Sequence, residues 1–406
     1  VRDDSALMEL FAGDGTGMTI LRANFGENRF RFLGRHIRFD DVNTRKVRSA
    51  YDKLAPVREF LTDFLSNCQN AYSLGAFVTV DEMLVGFRGK CSFIQYMPKK
   101  AARYGIKMYA LCDARTFYTY NLEIYCGLQT GPFATLNDPH EIVTRLTAPI
   151  LKSNRNVTVD SYFSSYRLAE YLLDNGLTFL GALRKTQPEI PAEFVIANSI
   201  QLPGSYMFGA QYDKTLVSLV TEKKKVVLVL STLHDTNLTD SETGQPYQIV
   251  DYNATKGSVD TVDRMCRRYS TYRKSRRWPM VVFYRLLDIA GINAFKIHRS
   301  NSKECIERRK FVHNLALGLM EENLKYRATL WSLPADLHAF LKRYKQETVA
   351  EVTVERPKSR SYCFYCGSSK NNKTSVSCHK CKRNVCRKHC NKLVTCHLCA
   401  EDQVME

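Results

Sequence analysis

In 406 residues, 59 basic side chains stand against 41 acidic ones, a formal net charge of +18, and 44% of the residues are hydrophobic. That is enough apolar material for a sizeable core and more than one domain, and the positive excess favours a polyanionic partner, nucleic acid before a membrane surface. No stretch approaches the ~18 consecutive apolar residues of a membrane span. The start carries no signal-peptide pattern, and Val1 in place of Met reads as a fragment or a processed N-terminus.

Residues 1–76 read as helices. Val57, Phe60, Leu61, Phe64 and Leu65 keep the i, i+3, i+4 spacing of a core-building helix. The period changes at Phe77, where Phe77-Val78-Thr79-Val80-Asp81 is β-prone and ends in an acid. Strands are expected at 92–96, 106–112 and 118–125, with turns at Gly86, Gly89, Lys99-Lys100 and Asp113, which makes an antiparallel meander. A helix follows over 141–151, with Asp138 at its cap and Pro139 at its first position. Asn156-Val157-Thr158-Val159-Asp160 is a second strand ending in an acid, with Thr158 and Asp160 on the face opposite Val157 and Val159. A helix over 166–175, closed by Gly176, leads to a strand at 178–183. This order specifies an α/β domain with a mixed sheet.

Residues 186–250 break the pattern with short strands at 205–212, 216–221 and 226–231, which read as a β-rich insertion. Helical period returns near Val259 and continues through 280–298 and 311–324. The charged stretch 347–360, with Pro357, reads as a linker.

Asp81 and Asp160 close two strands of the expected sheet, and functional groups in such sheets gather at strand ends. Asp260 and Asp263 come later, three apart, which on a helix places both on one face about one turn apart. Taken singly, each is an ordinary turn or capping aspartate, as Asp113 and Asp174 are; Glu82 belongs on the opposite strand face from Asp81. Taken together, strand-borne and helix-borne acids can converge. Clustered carboxylates repel one another unless cations lie between them, and Mg²⁺, a hard ion bound by a few carboxylates plus water and phosphate oxygens, suits such a site. Two ions can activate a water or a 3′-hydroxyl and stabilise the leaving oxygen of an in-line displacement.

Three spaced motifs give these acids a family. They are Val80-Asp81-Glu82-Met83-Leu84-Val85-Gly86-Phe87-Arg88-Gly89, Val159-Asp160-Ser161-Tyr162-Phe163-Ser164-Ser165 and Lys256-Gly257-Ser258-Val259-Asp260-Thr261-Val262-Asp263. With Arg277-Trp278-Pro279-Met280 and the terminal cysteine pattern, the chain resembles the piggyBac transposases over nearly its whole length. The family usually has two glycines after the lysine, where Ser258 takes the second place here. The resemblance implies an RNase H-like DDE core in which Asp81, Asp160 and Asp260 are the catalytic triad, holding two Mg²⁺, with Asp263 a fourth acid near the site. It further implies nicking by water, hairpin formation at a TTAA overhang and joining to a new TTAA site.

The run from Arg264 to Arg277 holds Arg264, Arg267, Arg268, Arg273, Lys274, Arg276 and Arg277, with Tyr269 and Tyr272 between them. It can neutralise phosphates and stack on unpaired bases, or serve as a solvated helix face or nuclear import signal. Trp278 follows it; by resemblance, the matching tryptophan helps with distorted DNA ends. Arg184 and Lys185, just past the last strand of the expected core, are further candidates for DNA contact.

Of 14 cysteines, six are scattered singly and eight crowd between Cys363 and Cys399. The pairs Cys363-x2-Cys366, Cys378-x2-Cys381, Cys386-x2-His389 and Cys396-x2-Cys399 suffice for two tetrahedral Zn²⁺ sites. Pairing can be sequential or interleaved. The short gap between the second and third pairs favours a cross-brace, with Cys363, Cys366, Cys386 and His389 on one zinc and Cys378, Cys381, Cys396 and Cys399 on the other. Cys390 is an alternative to His389. Too few apolar residues lie between these ligands for a core, so the metal must supply folding energy. The surrounding lysines and arginines fit DNA better than ubiquitin transfer, and by resemblance the module binds transposon end repeats.

The expected plan is therefore a helical dimerisation and DNA-binding region (1–76 and 264–346) around a catalytic core (77–185 and 251–263), with the β-rich insertion (186–250), the linker (347–360) and a double-zinc domain (361–400). A nuclear, homodimeric DNA transposase is expected, without a membrane role. The rival readings are a domesticated DNA-binding relative that does not cut, and a chromatin reader or ubiquitin ligase built on the zinc module.

Overall fold

The structure, a computed structural model, describes residues 6–195, 202–222, 225–302, 304–345, 360–379 and 381–390. The chain divides into two compact units, Val1–Tyr344 and Lys345–Glu406. The first opens with helices α1 (Leu7–Leu10), α2 (Thr19–Asn24), α3 (Glu27–His36), α4 (Val42–Arg48) and α5 (Arg58–Asn70). Strands β1 (Phe77–Gly86), β2 (Ile94–Tyr96), β3 (Tyr104–Asp113) and β4 (Thr119–Ile124) follow, then α6 (Pro139–Thr147), β5 (Asn156–Val159), α7 (Tyr166–Asp174) and β6 (Thr178–Leu183). Next come α8 (Ala192–Val195), β7 (Tyr206–Gln211), β8 (Lys214–Glu222) and β9 (Lys225–Ser231). Helices α9 (Tyr247–Thr255), α10 (Ser258–Arg268), α11 (Trp278–Asn301), α12 (Arg308–Ala328) and α13 (Ala335–Leu341) complete the unit.

Among the described residues nine strands build one sheet in the order β2-β3-β1-β5-β6-β9-β8-β7, with β4 sharing the outer edge of β3 beside β2. The meander of β1, β3 and β4 is antiparallel, while β1, β5 and β6 run parallel, with α6 leading from β4 into β5 and α7 from β5 into β6. That mixture is the α/β, RNase H-like arrangement expected from the sequence. The stretch expected as an insertion does not stand apart. β9 pairs with β6, Leu180 opposite Ser231, and β8 and β7 extend the same sheet outward. The reason lies in β9 itself, whose Val226, Leu228, Val229 and Leu230 are all buried, so both faces of the strand need cover.

Local signals set the connections. Ser165 caps α7 by accepting the Leu168 N–H at 3.1 Å. Gly176 ends that helix at φ +68°, where a Cβ would lie 2.9 Å from the Lys152 Cα, so only glycine fits the turn into β6. Asp138 stands at the start of α6, but its side chain makes no cap hydrogen bond.

The two faces of the sheet carry different helices. Val78, Val80, Val157 and Val159 point into a core with Ile142, Val143 and Leu146 of α6 and Leu168 and Leu172 of α7. Met83 and Val85 point the other way, against Val57 and Leu61 at α5, Val259 and Val262 of α10, and Val281, Leu286 and Ile289 of α11. The helices before and after the sheet thus share its core. Further out, Ala23 of α2 packs with Leu324, Ala328, Leu337 and Leu341 of α12 and α13, which joins the first and last helical stretches of the unit.

The second unit is described by itself. A two-stranded hairpin, β10 (Ser361–Tyr362) and β11 (Lys373–Thr374), carries Cys363 and Cys366 in its turn. The expected linker, 347–360, lies outside the described residues except for Arg360.

Hydroxyls tie α9 to the sheet. Thr79 of β1 donates to the Thr255 carbonyl at 2.7 Å, and the Thr158 and Thr255 hydroxyls meet at 2.8 Å, all three residues being buried. Thr158→Val keeps the shape and removes the hydroxyl contact with Thr255, leaving the Thr79 bond in place, so we expect a loss of about 1–2 kcal/mol in urea denaturation. An unchanged midpoint would show that the tether carries no load.

Candidate active site

Asp81 and Asp160 meet because of strand register. Val80 of β1 lies opposite Val159 of β5 in a parallel pair, so the next residue on each chain is an aspartate leaving the sheet on the same face. Thr79 and Thr158, two residues earlier, point to that face too, and their grip on Thr255 fixes where the chain enters α10. Asp260 then falls in the first turn of α10, where the helix dipole favours an acid. It is well exposed, with 64% of its side chain accessible.

The electrostatics are those of crowded acids. Burial first, then the Glu82 and Asp160 carboxylates, push the Asp81 carboxyl up to about 7, against the Glu82 N–H and Lys100, which favour its ionised form. The Glu82 N–H donates to Asp81 Oδ1 at 2.7 Å, and the Tyr162 N–H donates to Asp160 Oδ1 at 2.9 Å. Lys100 Nζ lies 3.3 Å from Asp260 Oδ1 and donates to the Glu82 carbonyl at 3.0 Å. Lys107 Nζ lies 4.0 Å from Glu82 Oε2 and over the rings of Tyr109 and Tyr162, where burial lowers its pKa despite the nearby Glu82, Asp81 and Asp160.

Glu82, Lys100, Lys107, Thr79, Thr158 and Thr255 are the residues that sequence reasoning missed. Alternation alone sends Glu82 to the far face. Yet β5 stops opposite Val80, so β1 runs on beyond its neighbour there, and the Glu82 carboxyl, raised by burial first, also feels Asp160 and Asp260. The lysines carried no motif; only the fold of β2 and β3 brings them in.

Asp263 does not join the group. It is buried, with Oδ1 3.1 Å from the Arg285 guanidinium of α11 and Oδ2 against Arg267 one turn on. Asp260 is exposed and Asp263 buried, so the two do not share one environment: the three-residue step of α10 turns Asp263 toward α11. Its place is that of a charged anchor between helices.

The basic run divides in the same way. Arg264, Arg268, Lys274 and Arg276 are exposed, as are Arg184 and Lys185, with Arg184 over the Tyr162 ring at 5.6 Å. Arg273 is half-buried. Arg267 is engaged by Asp263, and Arg277 donates to the Ile37 carbonyl at 2.6 Å and to the carbonyls of Gly34 and Arg35, binding the C-terminal end of α3. Arg277 therefore holds two helices together rather than standing free for phosphate. Trp278 packs edge-on against Phe93 at 5.1 Å and lines a cavity of 320 Å³ with Arg38, Arg45, Lys90, Arg276 and Arg277.

In the second unit the ligand atoms of Cys363, Cys366, Cys386 and His389 all lie within 4.8 Å of one another. Cys366 and Cys386 Sγ are 3.8 Å apart, too far for a disulfide and close to the ~3.8 Å edge of a tetrahedron with ~2.3 Å zinc–sulfur arms. Nδ1 of His389 faces Cys366 and Cys386 Sγ at 3.4 Å. Burial would raise the Cys363 thiol, but the Cys386 and Cys366 N–H groups and the His389 ring bring it down to about 6, favouring the thiolate that zinc requires. This donor set fits zinc. The grouping skips Cys378 and Cys381, as an interleaved brace does. Those two pack with Val385 and Cys390, which leaves His389 on the first centre. Cys396 and Cys399 lie outside the described residues.

Over residues 4–295 the chain matches a family model described as Transposase IS4. A solved structure, the cryo-EM structure of a piggyBac transposase synaptic complex with hairpin DNA, matches it with a TM-score of 0.80 at 34% identity, covering 98% of this chain and 84% of that one. The chain belongs to the piggyBac transposase family. In this transposase no helix among the described residues is long and apolar enough to cross a membrane. The family implies a divalent metal, and Asp81 and Asp160, in register and mutually repelling, form a donor set suited to a hard cation.

Two opposite outcomes separate the acids of the transposase. The Asp81 pKa is raised from 3.8 to about 7, so in magnesium-free buffer its contribution is present below the unfolded pKa and lost as pH rises toward neutrality. Asp81→Asn should flatten that decline in thermal melts between about pH 4 and about pH 8. Asp263→Ala should instead cost about 3–5 kcal/mol by leaving Arg285 buried without its partner. Equal stability of Asp263→Ala and wild type would remove the anchor role.

Proposed function

We propose that this chain carries out cut-and-paste DNA transposition, with Asp81, Asp160 and Asp260 holding two Mg²⁺ at the end of the sheet. The observation that carries the reading is the register of β1 and β5, which sets Asp81 and Asp160 side by side on the face where Thr255 anchors the approach to Asp260. When bound, the ions would lower the pKa of an attacking hydroxyl and stabilise the leaving oxygen. The protein's own groups do the rest. The Tyr162 N–H holds the Asp160 carboxylate in one orientation, and the Glu82 N–H does the same for Asp81. Arg184, Lys185, Arg264, Arg268, Lys274 and Arg276 offer exposed cations for phosphates, with Arg273 partly exposed beside them.

Water would nick the transposon end, and the freed 3′-hydroxyl would close a hairpin; the matched structure's hairpin DNA supports that step. The TTAA preference rests on the family resemblance. Trp278, which lines the basic cavity, would stack on unpaired bases. Residues 77–185 and 251–263 would form the catalytic core, 1–76 and 264–346 the dimer and DNA contacts, and 361–400 a zinc unit for end repeats, with the enzyme acting as a nuclear homodimer.

Cleavage of DNA carrying the element's end repeats, with and without Mg²⁺, tests this. Asp160→Asn should lower nicking about a hundredfold or more while end-repeat binding persists. Normal cutting by Asp160→Asn would overturn the site. Binding without any nicking by the wild type would favour the rival, a domesticated DNA-binding protein.

A further inference from the structure

Among the described residues, Lys100 is the one cation within ion-pair distance of Asp81, Asp160 or Asp260. It belongs to the loop between β2 and β3, where the Met97 N–H donates to the Arg103 carbonyl at 2.7 Å and the Arg103 N–H to the Lys100 carbonyl at 3.0 Å. Its side chain folds back from that loop over β1. Three oxygens surround the ammonium: the Glu82 carbonyl at 3.0 Å, Asp260 Oδ1 at 3.3 Å and Glu82 Oε1 at 3.9 Å. A backbone carbonyl and carboxylates from separate elements are the kind of oxygens that gather round a metal ion, and here they gather round a lysine.

We propose that Lys100 is a built-in counter-ion of the acid site, occupying in the metal-free protein the place beside Asp260 that a divalent cation must take. The inference rests on reading Asp81, Asp160 and Asp260 as a metal site. Without a cation, Glu82, Asp160 and the half-buried Asp81 repel one another, and an ammonium at their edge relieves part of that repulsion. Lysine suits such a role, because its charge is a compact point on a flexible stem and side-chain rotation alone can withdraw it. An ammonium and a divalent cation cannot both sit against Asp260 Oδ1, so each must weaken the other's binding. Lys107 differs: it is held between Glu82 and two aromatic rings and has no ion pair with Asp260.

The test is Mn²⁺ affinity of the zinc-loaded full chain, followed by the electron paramagnetic resonance of free Mn²⁺, which reads binding apart from activity. Asp81→Asn identifies the site by abolishing its binding. Lys100→Met and Lys100→Gln should each bind Mn²⁺ about tenfold tighter than wild type, since the removed charge lies a few ångströms from the ion. Lys100→Arg and Lys99→Met should stay within about twofold of wild type. Unchanged or weaker binding in both neutral variants, with Asp81→Asn still abolishing the site, overturns the role of Lys100 alone. If Asp81→Asn binds Mn²⁺ like wild type, the metal-site reading and this inference fall together.

Discussion

Two aspartates leave neighbouring parallel strands on one face where β5 ends, and burial together with the nearby Glu82 and Asp160 carboxylates holds the Asp81 carboxyl well above its usual range. That constraint organises the first unit. β1 must stay straight and paired on both sides up to Val80, and β5 must stop opposite it, so that Asp81 and Asp160 emerge together. Thr79 and Thr158 supply hydroxyls on the same face and hold Thr255, from which the chain turns into α10 and delivers Asp260. Lys100 and Lys107 supply the positive charge that the fold itself can offer. Among the described residues, Asp81, Glu82, Asp160 and Asp260 thus face only two ammonium groups, an arrangement kept short of charge balance.

The helices serve the same end by a different route. Asp263 would add to the repulsion if α10 turned it to the acid site. Instead it neutralises Arg285 in the interface between α10 and α11, and Arg277 fastens the start of α11 to the end of α3. Part of the basic run therefore works as internal fastening, while Arg264, Arg268, Lys274 and Arg276 stay exposed. The second unit gains its order otherwise: its hairpin is only two residues per strand, and three thiols with one imidazole stand ready for the ion that would complete it.

Much of this was legible in the residues. Period-two runs located β5 and the start of β1, although β1 does not end at Asp81 but runs on to Gly86, and the alternation of Asn156-Val157-Thr158-Val159-Asp160 correctly divided its faces. Ligand spacing alone grouped Cys363, Cys366, Cys386 and His389. What was not legible depended on pairings far apart in sequence. How the strands of 186–250 join the core was not legible, because nothing local says that β9 will lie against β6. Asp263 looked like a partner of Asp260 because spacing on a helix says nothing about which neighbour waits on each side. The lysines at 100 and 107 were invisible because an ammonium acquires meaning only from the carboxylates that the sheet brings to it.

The central claim is that the sheet edge makes Asp81, Asp160 and Asp260 one cation-binding site, with Asp263 outside it. Anomalous diffraction from Mn²⁺ in crystals of the full chain with end-repeat DNA measures this directly. The account predicts manganese peaks at coordination distance, roughly 2.0–2.2 Å, from carboxylate oxygens of Asp81, Asp160 and Asp260, with Asp263 still on Arg285. Peaks bound by Asp263, or none at Asp81 and Asp160, would contradict it.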